Sequence, residues 1–359
     1  MKFINILLLS FAILFSFSCD ESTKKTAKSY LPKARGKAGV LLVVMDTAKY
    51  NSEVGLALRK ILAKPILGLP QPEPQFTIQN INPLKFHKLL KSAKNIIIVT
   101  TLEGASRQNR SLLKYFTNES LQKIKKDPSL FMLSKQNDFA RGQEVLHLFG
   151  KNDEILKENI IANGSKITNH FNQIEKKRLV KTIFKGEEKN LAKVLIKDHG
   201  FSLRLPLGFE LSTNTKDFVW MRFLDNETEK NIFVYHQPYT SEDPFNDPLE
   251  YRESITTKFM RDSQKPDIFM TIQEIVPAIH NEVSFKGKYA KQTKGLWKLS
   301  DISGGGSYMS YIFVDESQKR IYYLEGYVYA PSQKKREPMR EIEVILNTFK
   351  SGEDLEKAK

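Results

Sequence analysis

The sequence predicts an α+β protein: an N-terminal α/β sandwich-like domain, a long helical segment, and a C-terminal antiparallel sheet with helices on one face. Three observations lead there. Val40–Met45 and Asn95–Val99 are short, unbroken apolar runs, the mark of strands buried on both faces. From Asp153 to Lys197 the apolar residues recur at helical spacing. Beyond Gly200 the aromatic-rich runs Phe218–Phe223, Ile232–Tyr235, Tyr308–Val314 and Ile321–Tyr329 are separated by polar turns, as hairpin-joined strands are.

Taken in order, the chain opens like an exported protein. Lys2 supplies a positive start, Ile4–Phe17 is apolar except for Asn5, Ser10 and Ser16, and Ser18 precedes Cys19. Residues 1–18 therefore read as a secretory signal peptide. The run is shorter than the roughly 20 residues that a bilayer span needs. Cys19 is the only cysteine in 359 residues. Exported chains use cysteine in pairs, so a lone thiol at the cleavage point is expected to carry a lipid. That lipid would be a diacylglyceryl anchor with acyl chains such as palmitate, holding the chain to a membrane without spanning it. Ser16 and Ser18 also suit ordinary signal-peptidase cleavage, and the unpaired cysteine favours lipidation over it. Residues 19–37, polar and charged with Pro32 and Gly36, read as a flexible tether.

Residues 38–150 make the N-terminal domain. Asp46 ends the first strand and is placed to cap a helix bearing Val54, Leu58, Ile61 and Leu62, which stops before Pro65. Pro70, Pro72 and Pro74 hold Gly68–Pro74 extended. Phe76–Ile81 alternates as a strand, Phe86–Leu90 begins a short helix, and Leu112–Ile124 is helical. Leu130–Leu133 and Glu144–Phe149 read as strands around the turn Ala140–Gln143. Residues 151–199 form a helical connector with breaks at Gly164 and Gly186. Residues 200–350 are the antiparallel α+β domain, with helices at Pro248–Met260 and Glu337–Phe349, and residues 351–359 are expected to be a disordered tail.

The formal charge is +15, supplied mostly by lysine. The densest run, Lys176 to Lys197, is interleaved with Glu187 and Glu188, so it reads as a solvated face. Nucleic acid is not an expected partner of an exported chain with this pattern. Weak attraction to anionic lipid or surface glycan fits it better.

Several strings carry a family resemblance: Gly68–Phe76, Ala140–Gln143, Phe218–Arg222, Asn231–Tyr235 with Pro238 and Tyr239, Gly295–Lys298, Glu325–Pro331 and Lys335–Glu341. Together they resemble the Bacteroidota lipoprotein family known as domain of unknown function 4837, over nearly the whole mature chain. The resemblance implies an envelope lipoprotein and brings no catalytic residues. Asp20 and Glu21 also resemble signals that send such lipoproteins to the outer face. The C-terminal half is faintly similar to the PsbP and Mog-one-like architecture, a likeness of fold that transfers no function.

Tested for chemistry, the chain offers little. No Gly-x-Ser-x-Gly occurs, and Gly304–Ser307 lacks the Lys-Ser/Thr of a phosphate loop. The six histidines are scattered without metal-ligand spacing, so neither a metal nor a cofactor is expected. Asp46 is the best single catalytic candidate, since open α/β sheets collect ligands at the carboxyl ends of their strands, although capping is the commoner role. Trp220, Arg222, Tyr235, Tyr239, Trp297 and Tyr327 could line an aromatic binding surface, with core packing as the alternative for whichever of them point inward. The leading expectation is a non-enzymatic binding or scaffolding module of the cell envelope. It would be lipid-anchored at the outer membrane, on its periplasmic or surface-exposed face, with an envelope protein or glycan as partner. The alternatives are an envelope hydrolase using Asp46, Glu73 or Glu103, and an accessory of surface assembly or secretion.

Overall fold

A computed structural model describes residues 30–357. The segment expected to be a signal peptide, Cys19 and most of the expected tether lie outside the described residues. The chain divides into two compact units: the first runs to Lys64 and resumes over Phe76–Phe171, and the second takes Pro65–Gln75 and everything from Asn172. The division thus falls inside the helix Gly164–Ile183, and the proline-rich segment folds with the second unit.

In the first unit, β1 (Val40–Met45), β2 (Thr77–Ile81), β3 (Asn95–Thr101), β4 (Met132–Gln136) and β5 (Glu144–Gly150) form one sheet in the order β2-β1-β3-β5-β4. All neighbours pair in parallel except β4, which runs antiparallel to β5 at the edge. Every residue of β3 and β5 is buried, the apolar run Ile96–Val99 together with the polar Asn95, Thr100, Thr101, Glu144 and His147. Helices cover both faces. Leu41, Val43, Ile97 and Val99 meet the helices Glu53–Leu62 and Asp153–Ala162, while Leu42, Val44, Ile96 and Ile98 meet Leu112 of the helix Arg107–Leu113 together with Phe86. The span expected as one helix over Leu112–Ile124 is two, because Thr117 caps a second helix, Asn118–Lys126, through the amide of Ser120. Crossovers from β1 and from β3 leave in opposite directions, which opens a crevice at their carboxyl ends.

The helical segment breaks where glycine was expected to break it. Asp153–Ala162 is followed by Gly164–Ile183 and, beyond Gly186, by Lys189–His199. The last ends on Gly200 in the left-handed conformation (φ 73°) that glycine adopts without strain.

The second unit holds β6 (Phe201–Ser202), β7 (Phe209–Asn214), β8 (Phe218–Leu224), β9 (Glu229–Pro238), β10 (Met270–Gln273), β11 (Ile279–Phe285), β12 (Lys288–Leu299), β13 (Gly305–Asp315), β14 (Arg320–Tyr329) and β15 (Lys350–Ser351). Its large antiparallel sheet runs β10-β12-β13-β14-β9-β8-β7, with β11 also beside β12. The antiparallel sheet with packed helices is as the sequence predicts, and the structure adds that helices flank both faces. On one, Met221, Val234, Leu324 and Val328 receive Ile342 and Ile345 of the helix Arg336–Leu346. On the other, Phe218, Phe233 and Tyr323 receive Ile255 and Phe259 of the helix Pro248–Phe259. Gly326 permits the first of these contacts, since a Cβ there would lie 2.3 Å from Ile342.

β11 was not visible in the sequence because it is an edge strand whose His280, Asn281 and Glu282 are exposed. Residues 351–356, expected within a disordered tail, are ordered instead. Ser351 pairs with Phe201 and donates to buried Asp315, and the helix Gly352–Glu356 follows.

Candidate functional site

In the first unit the crevice between β1 and β3 is filled by its own polar groups. Oδ1 of Asp46 accepts from the amides of Ala48 (2.9 Å) and Lys49 (3.2 Å), and Oδ2 accepts from the Ser106 hydroxyl. Burial pushes this carboxyl up, but the Ser106 and amide bonds, with Lys49 nearby, outweigh it and hold the pKa below the usual value. Ser106 in turn caps the helix Arg107–Leu113 through the amide of Asn109 (2.9 Å). Buried Asn109 accepts from Thr100 Oγ1 (2.9 Å) and donates to the carbonyls of Thr101 (2.7 Å) and Gly104 (3.0 Å). Lys49, also buried, donates to Thr101 Oγ1 (2.9 Å) and pairs with Asp153. Asp46 therefore does what a helix cap does, with an added bond to Ser106 that sixty residues of separation hid from the sequence.

The other two acidic candidates stand elsewhere. Glu103 is exposed, beside β3. Glu73 belongs to the second unit and is buried there. Its carboxylate accepts from the amides of Lys335 (2.7 Å) and Arg336 (3.3 Å), so it caps the helix Arg336–Leu346 from far along the chain. Arg336 and Arg340 return the contact by donating to the carbonyls of Pro74 (2.9 Å) and Gln75 (2.7 Å). Glu73→Ala is expected to cost about 1–2 kcal/mol of stability in chemical denaturation. A loss under a few tenths would show that the cap is dispensable.

The aromatic candidates divide. Trp297 and Tyr327 are buried, their rings 5.2 Å apart, beneath the helix-covered face. Trp220 and Tyr235 are half-buried on the same face, with Trp220 Nε1 donating to Asn231 (3.0 Å). Nε of Arg222 is buried with no hydrogen-bond partner among the described residues. These five belong to a packed face. Below the helix lies an ion pair that the sequence did not announce: Arg252 and Glu325, both 0% exposed, bonded through two nitrogens at 2.9 and 2.8 Å. Tyr323 donates to the same carboxylate at 2.5 Å, and the guanidinium lies 4.1 Å from the ring centre of Tyr308.

Tyr239 differs, being 38% exposed, and it leads to an open groove of about 750 Å³. The groove is assembled from Tyr239 after β9, Glu242 and Phe245 at the helix Asp243–Asn246, Glu282 of β11, Lys288, Tyr289 and Lys291 of β12, the β13–β14 turn with Glu316, and Glu353 and Asp354 near the C terminus. Tyr289 is 55% exposed and its ring lies 5.8 Å from that of Phe245. The β13–β14 turn was legible as a turn. Its meeting with β11 and the 243–246 helix was not, because five separate segments build the wall.

The histidines do not gather with these carboxylates. His147 is buried against Phe116 (ring centres 5.4 Å apart), and burial pushes its pKa down to about 4. His199 and His236 face each other, Nδ1 to Nε2, at 3.1 Å, and His199 Nε2 meets Asn214 Oδ1 at 2.6 Å. Among the described residues no three His, Cys, Asp or Glu side chains form a metal-binding group, and no helix is long and apolar enough to cross a membrane.

Comparison with known proteins finds two family models on successive parts of the chain, meeting some fifteen residues beyond the structural division at Phe171. Residues 188–348 match the family model described as Domain of unknown function (DUF4837), and residues 34–184 match a second, Domain of unknown function (DUF8532). The resemblance to domain of unknown function 4837, expected over nearly the whole chain after Cys19, is thus limited to the C-terminal part, and Gly68–Phe76 and Ala140–Gln143 fall within the second model. No curated protein matches. Among solved structures the chain is similar to a mutant of Protein Mog1, at 10% identity and a TM-score of 0.27, over 42% of this chain and 90% of that one.

Proposed function

We propose that this chain is a non-enzymatic binding module of the cell envelope, tethered by lipid at Cys19, whose partner seats in the groove of the second unit. The groove is the observation that carries the binding half of this reading. Its volume lies in the range typical of ligand sites, about 300–1,000 Å³, and it leaves Tyr239 and Tyr289 in reach of solvent. The order of parts at the N terminus supports the tether. A hydrolase built on Asp46 draws less support, because both of its oxygens are engaged in holding the β1 and β3 loops together.

Two measurements test the two halves. Cys19→Ala should move the protein out of the membrane fraction and abolish labelling by a fatty-acid analogue. Unchanged partitioning would mean a different anchor. A photo-crosslinking residue placed at Tyr289 in the anchored chain should give a discrete adduct, while the same residue at exposed Ile302 should not. Matching adducts at both sites, or none at Tyr289, would remove the groove from the account.

A further inference from the structure

We infer that the groove receives a cationic peptide segment of a protein partner, lysine- or arginine-bearing, held by ring faces and carboxylates together. This rests on the reading of the groove as the binding site and adds the chemistry of its occupant. The argument is one of charge contrast. The whole chain carries +15, yet six carboxylates and two lysines line the groove. Each lysine faces an acid at 3.8 Å, Lys288 with Asp354 and Lys291 with Glu282. Glu242 and Glu316 make no ion pair among the described residues. The groove is therefore a local negative field on a positive protein, and it selects against the acidic ligands that the rest of the surface attracts.

The walls supply the second element of recognition. Tyr289 and Tyr239 are exposed beside the carboxylates, and Phe245 backs Tyr289. A cation over an aromatic face gains about 0.5–1 kcal/mol at exposed sites, and a carboxylate nearby adds a charge-assisted hydrogen bond. Guanidinium and ammonium groups on a peptide satisfy both, with their alkyl stems lying along the rings.

The test uses the full chain in neutral detergent, titrated by calorimetry with three probes: a capped tetrapeptide of alternating lysine and arginine, a capped tetraglutamate, and spermidine. The basic peptide should bind saturably at one site and weaken as salt rises. Tyr289→Ala and the pair Glu242→Gln with Glu316→Gln should each reduce its affinity at least fivefold. All three positions line an open groove, so these variants should retain the parent melting temperature. Tetraglutamate binding as well as the basic peptide, or basic-peptide binding that ignores the groove variants, would overturn the inference. Spermidine binding as tightly as the peptide would also overturn it, by assigning the site to a small amine. If the basic peptide fails while crosslinking at Tyr289 still gives its adduct, the binding site stands and only the cationic occupant falls.

Discussion

Arg252→Met is expected to destabilise the protein by about 3–5 kcal/mol, the range for breaking a buried ion pair from one side. The cost arises from what remains. Glu325 is fully buried on β14, and with the guanidinium gone its charge would keep only the Tyr323 hydroxyl as a close partner. Such a loss is a large part of the roughly 5–15 kcal/mol that holds a typical domain folded. Changing both partners, Arg252→Met with Glu325→Gln, should recover much of the stability, because no uncompensated charge is then left inside. Denaturant titration of the parent, single and double variants reads this directly. A single variant losing under 1 kcal/mol would show that water or a local shift relieves the carboxylate.

Acidification from pH 7 to pH 5 is expected to cost about 2 kcal/mol for each of His147 and His236. Burial holds both folded pKa values down to about 4, from an ordinary value of 6.5, with Lys135 adding to the effect at His147 and Arg320 at His236. Between those limits the unfolded chain binds a proton that the folded chain refuses. Stability from this source is therefore complete above pH 6.5 and is lost progressively as pH falls toward 4. Asp46 and Asp315, held below the ordinary carboxylate value, act in a lower window. His147→Phe should flatten the pH 5–7 slope of the first unit in a denaturation series. An unchanged slope would mean that His147 is protonated in place.

How much of this could be read from the residues depended on range. Val40–Met45 and Asn95–Val99 declared strands buried on both faces because their own composition allows little else. Gly164, Gly186 and Gly200 marked the helix breaks for equally local reasons. Pro70 to Pro74 announced an extended segment, but not that Glu73 within it caps a helix more than 260 residues later. The aromatic strands were legible while the cover on their second face was not. The helix Pro248–Phe259 buries Arg252 and Thr256 among its apolar contacts, which blurs the periodicity that would have revealed that face. Tyr239 stood among the candidate binding residues on strand composition alone. Its groove companions Tyr289, Glu242 and Glu316 were out of reach, because tertiary structure alone brings those segments together.

Hydrogen–deuterium exchange on the full chain in the membrane fraction to which the proposed lipid would hold it, set against a chain beginning after Cys19, tests the central claim most directly. An occupied groove should slow exchange in residues 239–246, 287–291 and 315–317 of the membrane-held protein and leave the crevice around Asp46 unchanged. Protection centred on residues 46–49 and 104–109, or no difference between the two samples, would contradict it.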